Sequence, residues 1–205
     1  MEKSQRTRFI KAFAFAVEAH ALQTRKGSAV PYTSHLSQVA GLVLEFGGDT
    51  NQAIAGLLHD AVEDCGVELT TLRSRFGNDV AEIVEHCTDL VPGDRPDRKS
   101  PWLERKRRYL EQIRDAGARS RLVAACDKLH NLRNVVSDLR QHGSSTLERF
   151  TASPAQTRWY YVSVRAALGD ELPAPLLAEI DSLLAELASH IPTIASDGVQ
   201  VTWKT

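Results

Sequence analysis

The sequence of 205 residues predicts an all-α protein of about eight helices. Apolar residues recur at helical spacing along most of the chain, and glycine, proline or capping residues separate the apolar stretches. An alternating strand pattern occurs only at residues 199–203. We therefore expect one domain with a C-terminal helical extension over residues 1–190, and a tail at residues 191–205 whose structure the sequence leaves undecided.

Composition and charge argue against several classes of protein. The 25 Lys and Arg residues nearly balance 26 Asp and Glu residues, so the net charge of −1 gives no overall case for a nucleic-acid or membrane partner. No apolar run reaches the roughly 18 residues that a transmembrane helix needs. Cys65, Cys87 and Cys126 form no closely spaced pair, which argues against a disulfide framework or a thiolate zinc site. A reducing cytoplasm fits this cysteine pattern best.

The first two helices are predicted on either side of a polar loop. The first runs from Thr7 to about Gln23, and its expected core positions are Phe9, Ile10, Phe13, Ala14, Val17 and Ala21. The loop carries the basic pair Arg25 and Lys26. The next helix opens at His35, after a good capping stretch, and closes at a pair of glycines.

A single helix is predicted for residues 53–64. One side of it carries four ionisable residues, namely His59, Asp60, Glu63 and Asp64. The opposite side is apolar and is expected to be buried. Gly56, on the charged side, costs roughly 1 kcal/mol relative to alanine, which predicts that it makes room for something bound beside His59. A divalent cation would neutralise the buried charges, and the alternative is a surface helix whose acidic face is solvated.

The second half of the chain alternates helices with loops. Short helices are predicted at Leu69–Phe76 and from Asn78, and they are followed by a loop over residues 90–101 that is basic at its end. A basic helix begins at Pro101. A long helix is predicted over residues 121–142, and a loop over residues 144–155 follows it. Two further helices are predicted after it, one that begins at Ser153-Pro154 and a final one that ends at about His190.

Asp127 is predicted to lie inside the protein. It shares one stripe of its helix with Asn131 and Asn134, and apolar residues cover the other faces. Lys128 and Arg133 are nearby cations, but residues one and six positions away do not face Asp127 across a helical turn. The sequence therefore indicates that Asp127 binds something other than an intrahelical partner.

Two imidazoles and two carboxylates from three predicted helices form a candidate metal site: His35, His59, Asp60 and Asp127. Such a nitrogen and oxygen donor set suits Mn, Fe, Co or Zn, and an ion held there can acidify water and polarise a phosphoryl oxygen. Glu63 and Asp64 are placed to orient that water or to move its proton. The candidates for binding phosphates and a sugar hydroxyl are Arg25, Lys26, the basic residues at 98–108 and Asn131.

Five ordered motifs resemble one known family. They are RKG…PY before His35, LLHDAVED at 57–64, FGNDVAEIVEHCTD at 76–89, WLERKRRYL at 102–110 and DKLHNLRN at 127–134. Together they are similar to HD-domain phosphohydrolases. More narrowly, they resemble the hydrolase domain of the Rel/Spo stringent-response enzymes and the stand-alone small alarmone hydrolases, over roughly residues 8–168.

The resemblance implies an all-helical HD fold that binds one Mn²⁺ and removes the 3′-pyrophosphate of (p)ppGpp to give GDP or GTP and pyrophosphate. The metal ligands implied by the motifs are His35, His59, Asp60 and Asp127, and the implied catalytic pair is Glu63 and Asp64. The implied nucleotide contacts are Arg25, Lys26, Asn131, Arg158 and Tyr161. Trp102 stands where some relatives have a lysine, so Lys99 or Lys106 is expected to meet the pyrophosphate.

Two alternatives remain open at this stage. The first keeps the metal site and changes the substrate to (p)ppApp, the 2′-phosphate of NADPH or a nucleoside monophosphate. The second is a non-catalytic nucleotide sensor or antitoxin partner, which is disfavoured because all six expected metal and catalytic positions are filled. In each case the expected partner is a small nucleotide, and the sequence leaves the guanine or adenine preference and any homo-oligomer undecided.

Overall fold

The computed structural model describes residues 1–191, and the part of the chain that it describes is all-α, as predicted. It contains ten α-helices and one 3₁₀ helix, which is more than the predicted number. The α-helices are α1 (Lys3–Ala19), α2 (Thr33–Glu45), α3 (Thr50–Leu58), α4 (Ala61–Cys65), α5 (Leu69–Phe76), α6 (Asn78–Cys87), α7 (Trp102–Asp115), α8 (Ala118–His142), α9 (Pro154–Leu168) and α10 (Ala174–His190). The 3₁₀ helix, Ser144–Arg149, lies within the predicted loop before α9. The predicted tail beyond residue 191, with its alternating stretch, lies outside the described residues.

Helix α3 forms the centre of the core, and α1, α2, α6 and α8 pack against it. Its side chains are buried on every side, including Ile54 and Leu58, because neighbouring helices surround it. The long helix α8 crosses this core and continues to contact α9 and α10. None of the helices within residues 1–191 is long and apolar enough to span a membrane.

The prediction of one continuous helix over residues 53–64 is wrong. Helix α3 ends at Leu58 and α4 begins at Ala61, with His59 and Asp60 in the turn between them. The ring of His59 hydrogen-bonds at Nδ1 to the carbonyl oxygen of Gly56, 2.9 Å away. In an unbroken helix that oxygen would accept the backbone N–H of residue 60. The His59 side chain therefore replaces one backbone hydrogen bond of the helix.

Gly56 does not make room for a ligand, which corrects the second prediction made for this stretch. A Cβ atom at Gly56 would lie 3.3 Å from Cα and 3.4 Å from the backbone nitrogen of Ala40 in α2. The absence of a side chain therefore lets α3 approach the backbone of α2 closely. This contact sets the distance between α2, which carries His35, and α3, which ends one residue before His59.

The face of α1 that packs on the core also differs from the prediction. The buried residues of α1 are Ala12 and Ala16, whereas Ile10, Phe13 and Val17 are 67%, 41% and 39% exposed. Small alanine side chains allow α1 to lie close to α3, which leaves the larger residues at the surface. Helical periodicity predicted the helix but could not show which of its two apolar faces is buried.

Candidate active site

Four side chains from three parts of the core converge on one point. His35 lies in the first turn of α2, His59 and Asp60 lie in the turn after α3, and Asp127 lies within α8. Nε2 of His35 is 3.2 Å from both Nε2 of His59 and Oδ1 of Asp127, and 3.5 Å from Oδ2 of Asp60. Nε2 of His59 is 2.9 Å from Oδ2 of Asp60 and 3.5 Å from Oδ1 of Asp127. The four predicted donors are therefore brought together.

The spacing of these donor atoms fits a single divalent ion. A first-row ion holds nitrogen and oxygen ligands at about 2.1 Å, so neighbouring ligand atoms around it lie about 3.0 Å apart. His35, His59 and Asp127 each offer an atom within 4.8 Å of the other two, and all three residues are buried. The hydrogen bond at Nδ1 of His59 goes to a carbonyl oxygen, so that nitrogen carries a proton and Nε2 is left free to face the ion.

The protonation of this cluster also indicates a site for a cation. Burial alone would lower the pKa of the His59 ring, but the carboxylates of Asp60 and Asp127 raise it well above its usual value. Burial alone would raise the pKa of both carboxyls, but His59, together with Lys128 in the case of Asp127, holds it well below the usual range. A bound divalent ion would neutralise the two carboxylates in the same way and would displace the proton that a charged His59 ring carries at Nε2.

Lys128 is an ion-pair partner of Asp127, which contradicts the expectation from helical spacing. Its ammonium lies 2.6 Å from Oδ2 of Asp127. The spacing rule describes the direction of the Cβ atoms, whereas the flexible lysine stem can bend back to its neighbour. Arg133 pairs instead with Glu179 of α10. Asn131 donates to the other oxygen of Asp127, Oδ1, at 2.6 Å.

The predicted catalytic pair lies on α4, where one lysine connects the two carboxylates. Nζ of Lys99 is 2.9 Å from Oε1 of Glu63 and 3.2 Å from Oδ1 of Asp64. Glu63 also accepts the backbone N–H of Asp89, and Asp64 accepts a hydrogen bond from Gln23 at 2.9 Å. Burial and the charge of Asp89 raise the pKa of Glu63, although the nearby lysines oppose the shift.

Two cavities meet beside the cluster, one of 720 Å³ and one of 430 Å³. The larger is lined by Tyr32, Arg25, Asp64, His130 and Asn134, among others. The smaller is strongly basic and is lined by Lys99, Arg105, Lys106 and Lys128, together with Glu63 and Trp102. Both cavities share Lys26, Asn131, Val135, Phe150 and Tyr161. The two cavities therefore lie side by side, with Asn131, a partner of Asp127, on their common wall.

The predicted nucleotide contacts are distributed unequally around these cavities. Arg25 lies at the larger one and donates to Oδ1 of Asn131 at 2.8 Å, and Lys26 and Tyr161 lie on the shared wall. Lys106 forms an ion pair with Asp89. Arg158 lines neither cavity, because its guanidinium donates to the carbonyl oxygen of Ile191 after α10.

Three polar residues next to the cluster were missed by the sequence reasoning. Tyr32 donates to Oδ2 of Asp60 at 2.6 Å, and His130 lies 2.7 Å from His35 through their Nδ1 atoms. Burial, His35 and Arg25 lower the pKa of His130 to about 3. Gln23 orients Asp64. The only signals were positions in the motifs: Tyr32 precedes His35 by three residues, and His130 follows Asp127 by three.

Comparison with known proteins identifies the family. The HD domain family model matches residues 12–153. The chain belongs to the HD domain family. All four convergent donors of this HD domain lie within the matched residues, whereas Arg158 and Tyr161 lie beyond them. The family resemblance drawn from the motifs is therefore confirmed.

Several proteins similar to this HD domain are named as guanosine-3′,5′-bis(diphosphate) 3′-pyrophosphohydrolases. The chain is 38% identical over 129 residues to the guanosine-3′,5′-bis(diphosphate) 3′-pyrophosphohydrolase MESH1 of Xenopus tropicalis, which is 62% of this chain and 68% of that protein. The human protein of the same name is 36% identical over 135 residues, covering 64% of this chain and 72% of the relative. A solved structure of a metazoan ortholog of SpoT that hydrolyzes ppGpp superposes with a TM-score of 0.71 at 26% identity, covering 87% of this chain and 94% of the other.

Proposed function

We propose that this HD domain hydrolyses (p)ppGpp, releasing the 3′-pyrophosphate and leaving GDP or GTP. The observation that carries the proposal is the convergence of two histidines and two aspartates beside two adjoining cavities, of which one is basic. The Nε2 atoms of the histidines lie 3.2 Å apart and 2.9 to 3.5 Å from carboxylate oxygens of Asp60 and Asp127. The relatives named as ppGpp 3′-pyrophosphohydrolases support the same substrate and bond.

We propose that the ligands of one divalent ion are His35, His59, Asp60 and Asp127, with Mn²⁺ as the resident metal. Two nitrogen and two oxygen donors without thiolates suit Mn, Fe, Co or Zn, and the family resemblance favours Mn²⁺ among them. When bound, such an ion lowers the pKa of a coordinated water and polarises a phosphoryl oxygen. Metal analysis of the purified protein, with calorimetric titration of the metal-free form, tests this assignment.

The charges of the smaller cavity fit a pyrophosphate group. Four of its five cations, Lys99, Arg105, Lys106 and Lys128, form ion pairs with carboxylates of the protein, so their positions are already fixed before a ligand binds. Such preorganised cations bind phosphate oxygens without losing much side-chain entropy. These cations come from α7 itself, from α8 and from the loop before α7, and we infer that they take the place of the lysine that some relatives have at Trp102.

The larger cavity fits the nucleoside and its 5′-phosphates. Arg25 and Lys26 form no ion pair with any carboxylate among residues 1–191, and both side chains border this cavity. Two cations without counter-charges at a cavity wall favour an anionic ligand. Asn131 and Tyr161, on the wall between the cavities, would then lie near the ribose. The contact of Arg158 with the nucleotide stays a prediction that no contact in the structure supports.

Glu63 and Asp64 are proposed to move the protons of the reaction. In the hydrolysis a bond forms between water oxygen and phosphorus while the bond from phosphorus to the ribose 3′-oxygen breaks, so the leaving oxygen needs a proton. The raised pKa of Glu63 makes it easier to protonate than an ordinary glutamate. Lys99 connects Glu63, at the wall of the basic cavity, with Asp64, at the wall of the larger one, and we propose that both carboxylates are within reach of the proton transfer.

A substrate screen tests the proposed function. The protein is incubated with ppGpp, ppApp, NADPH and nucleoside monophosphates, with Mn²⁺ or with a chelator, and products are separated by ion-exchange chromatography. We expect manganese-dependent formation of GDP and pyrophosphate from ppGpp, and loss of at least about 100-fold in kcat for Glu63→Gln. Faster cleavage of another substrate would reassign the substrate, and tight ppGpp binding without cleavage would favour a sensor.

We further propose that residues 1–190 act as one domain, because α10 packs on both α8 and α9. A cytoplasmic location and the absence of a nucleic-acid or membrane partner stay predictions, and the oligomeric state stays undecided. Cys65, Cys87 and Cys126 are free thiols in the structure.

A further inference from the structure

His130 makes an unusual contact with one of the proposed metal ligands. It lies on α8, one turn after Asp127, and its ring is 4% exposed. Its Nδ1 atom is 2.7 Å from Nδ1 of His35, and the two ring centroids are 4.7 Å apart. Two identical atoms at this distance form a hydrogen bond only if one carries a proton and the other does not.

The geometry of the cluster decides which of the two is the donor when an ion is bound. Nε2 of His35 faces Nε2 of His59 and Oδ1 of Asp127, both at 3.2 Å, so it is the atom that can reach the ion. A ligating nitrogen must offer a lone pair, and therefore the proton of a neutral His35 ring sits on Nδ1. Nδ1 of His130 must then accept, which places the proton of His130 on Nε2.

We propose that His130 is a positioning residue that holds His35 in the tautomer able to bind the metal. Metal-ligating histidines usually donate their second nitrogen to a carboxylate, a carbonyl oxygen or water. A neutral imidazole does the same here without adding a negative charge to a cluster that already contains Asp60 and Asp127. The inference rests on the proposed metal site, and it makes the affinity for the ion depend on a residue that does not touch it.

The side chain of Asn134 contacts His130 from the next turn of α8. Its amide nitrogen lies 3.3 Å from Nδ1 and 3.4 Å from Nε2 of His130, so it is nearly equidistant from the two ring nitrogens and does not select a tautomer by itself. The contact between His130 and His35 therefore carries the proposal.

Metal affinity of matched variants tests the proposal. The metal-free wild type, His130→Gln and His130→Leu are titrated with Mn²⁺ by calorimetry, after circular dichroism has shown that each is folded. We expect His130→Leu to bind about 10- to 100-fold more weakly. His130→Gln should lose less, because its amide oxygen can accept from Nδ1 of His35. His86→Leu is the control, since His86 bonds to Ser120 and borders neither cavity.

Nitrogen NMR of the imidazoles gives a second readout that a merely structural role would not move. In the protein loaded with diamagnetic Zn²⁺, the ¹⁵N shifts should show a protonated Nδ1 in His35 and a protonated Nε2 in His130. Equal Mn²⁺ affinity in all three proteins, or a proton on Nδ1 of His130 in the loaded form, would overturn the proposal. Failure of the proposed function looks different, because ppGpp is then not hydrolysed although the wild type binds the metal and His130→Leu binds it more weakly.

Discussion

The phenol of Tyr32 donates a 2.6 Å hydrogen bond to Oδ2 of Asp60, one of the four convergent donors. Asp60 lies in the turn between α3 and α4, where the helical ladder does not fix its position. Burial and the charge of Asp60 raise the pKa of Tyr32, so the phenol stays a neutral donor. Its ring is held in turn by stacking on His20, with centroids 5.1 Å apart. Tyr32 therefore orients the carboxylate of Asp60, whose position the backbone of the turn does not fix.

Removal of this hydroxyl should weaken metal binding without unfolding the protein. For Tyr32→Phe we expect the affinity for Mn²⁺ to fall about 10-fold, as is typical when a hydrogen-bond partner of a ligand is lost. Calorimetric titration of the metal-free protein measures it. Tyr109→Phe is the matched control, because the buried hydroxyl of Tyr109 has no hydrogen-bond partner among the described residues. Equal affinities in the two variants would contradict this role for Tyr32.

Metal removal should lower the thermal stability. A ligand present at 100 times its Kd contributes about 2.7 kcal/mol to the native state. For a chain of this size, 1 kcal/mol corresponds to about 2–4 °C in Tm, so we expect Mn²⁺ to raise Tm by about 5–10 °C over the chelated protein. Differential scanning calorimetry measures the shift. The variant Asp127→Asn, which lacks one ligand charge, should show a much smaller rise, and an equal rise in both would place the ion elsewhere.

The sequence singled out four side chains that the structure brings together, because they occupy positions where an ordinary helix would not favour them. A His-Asp pair on an apolar segment and an aspartate on a helix with apolar faces are costly unless something binds them. The ordered motifs then connected positions that are far apart in the chain. None of this required the tertiary structure, and the structure brings His35, His59, Asp60 and Asp127 together.

The errors came from features that depend on neighbouring helices. The side chain of His59 breaks the helix by taking the carbonyl of Gly56, and Gly56 serves a backbone contact with Ala40. Periodicity cannot show which helix will pack against a glycine or which apolar face of α1 is used. The contact between His130 and His35 joins residues 95 positions apart, so no local pattern indicates it.

The contact between Gly56 and Ala40 gives a stability prediction of its own. In Gly56→Ala the new methyl group would press on the backbone of α2, which should cost about 1–3 kcal/mol and outweigh the gain in helix propensity. Gly41→Ala is the control, because a Cβ atom there meets nothing within 4 Å. We expect that variant to be more stable by about 0.5–1 kcal/mol. Urea unfolding measures both, and opposite signs are the expected result.

The ion pair of Lys128 and Asp127 should matter most in the metal-free protein. Breaking a buried pair leaves one charge unpaired, so Lys128→Met should lower the free energy of unfolding by about 3 kcal/mol in the presence of a chelator. A bound ion would take over part of the neutralisation, and the loss should then be smaller with Mn²⁺. The double variant Asp127→Asn, Lys128→Met in chelator should recover part of the stability. A loss of equal size with and without metal would show that the pair is independent of the ion.

Lys99 should control the pH dependence of hydrolysis through Glu63. Its ammonium, 2.9 Å from Oε1, favours the carboxylate, so its removal in Lys99→Met should raise the pKa of Glu63 further. The limb of the kcat against pH profile that reports the ionisation of Glu63 should then move to higher pH, by about half a unit to one unit for a partly exposed pair. The direction is the same whether the reaction needs Glu63 protonated or ionised. Lys99→Arg keeps the charge and should leave the limb in place. If the limb stays at the same pH in Lys99→Met, the ionisation of Glu63 does not govern the rate.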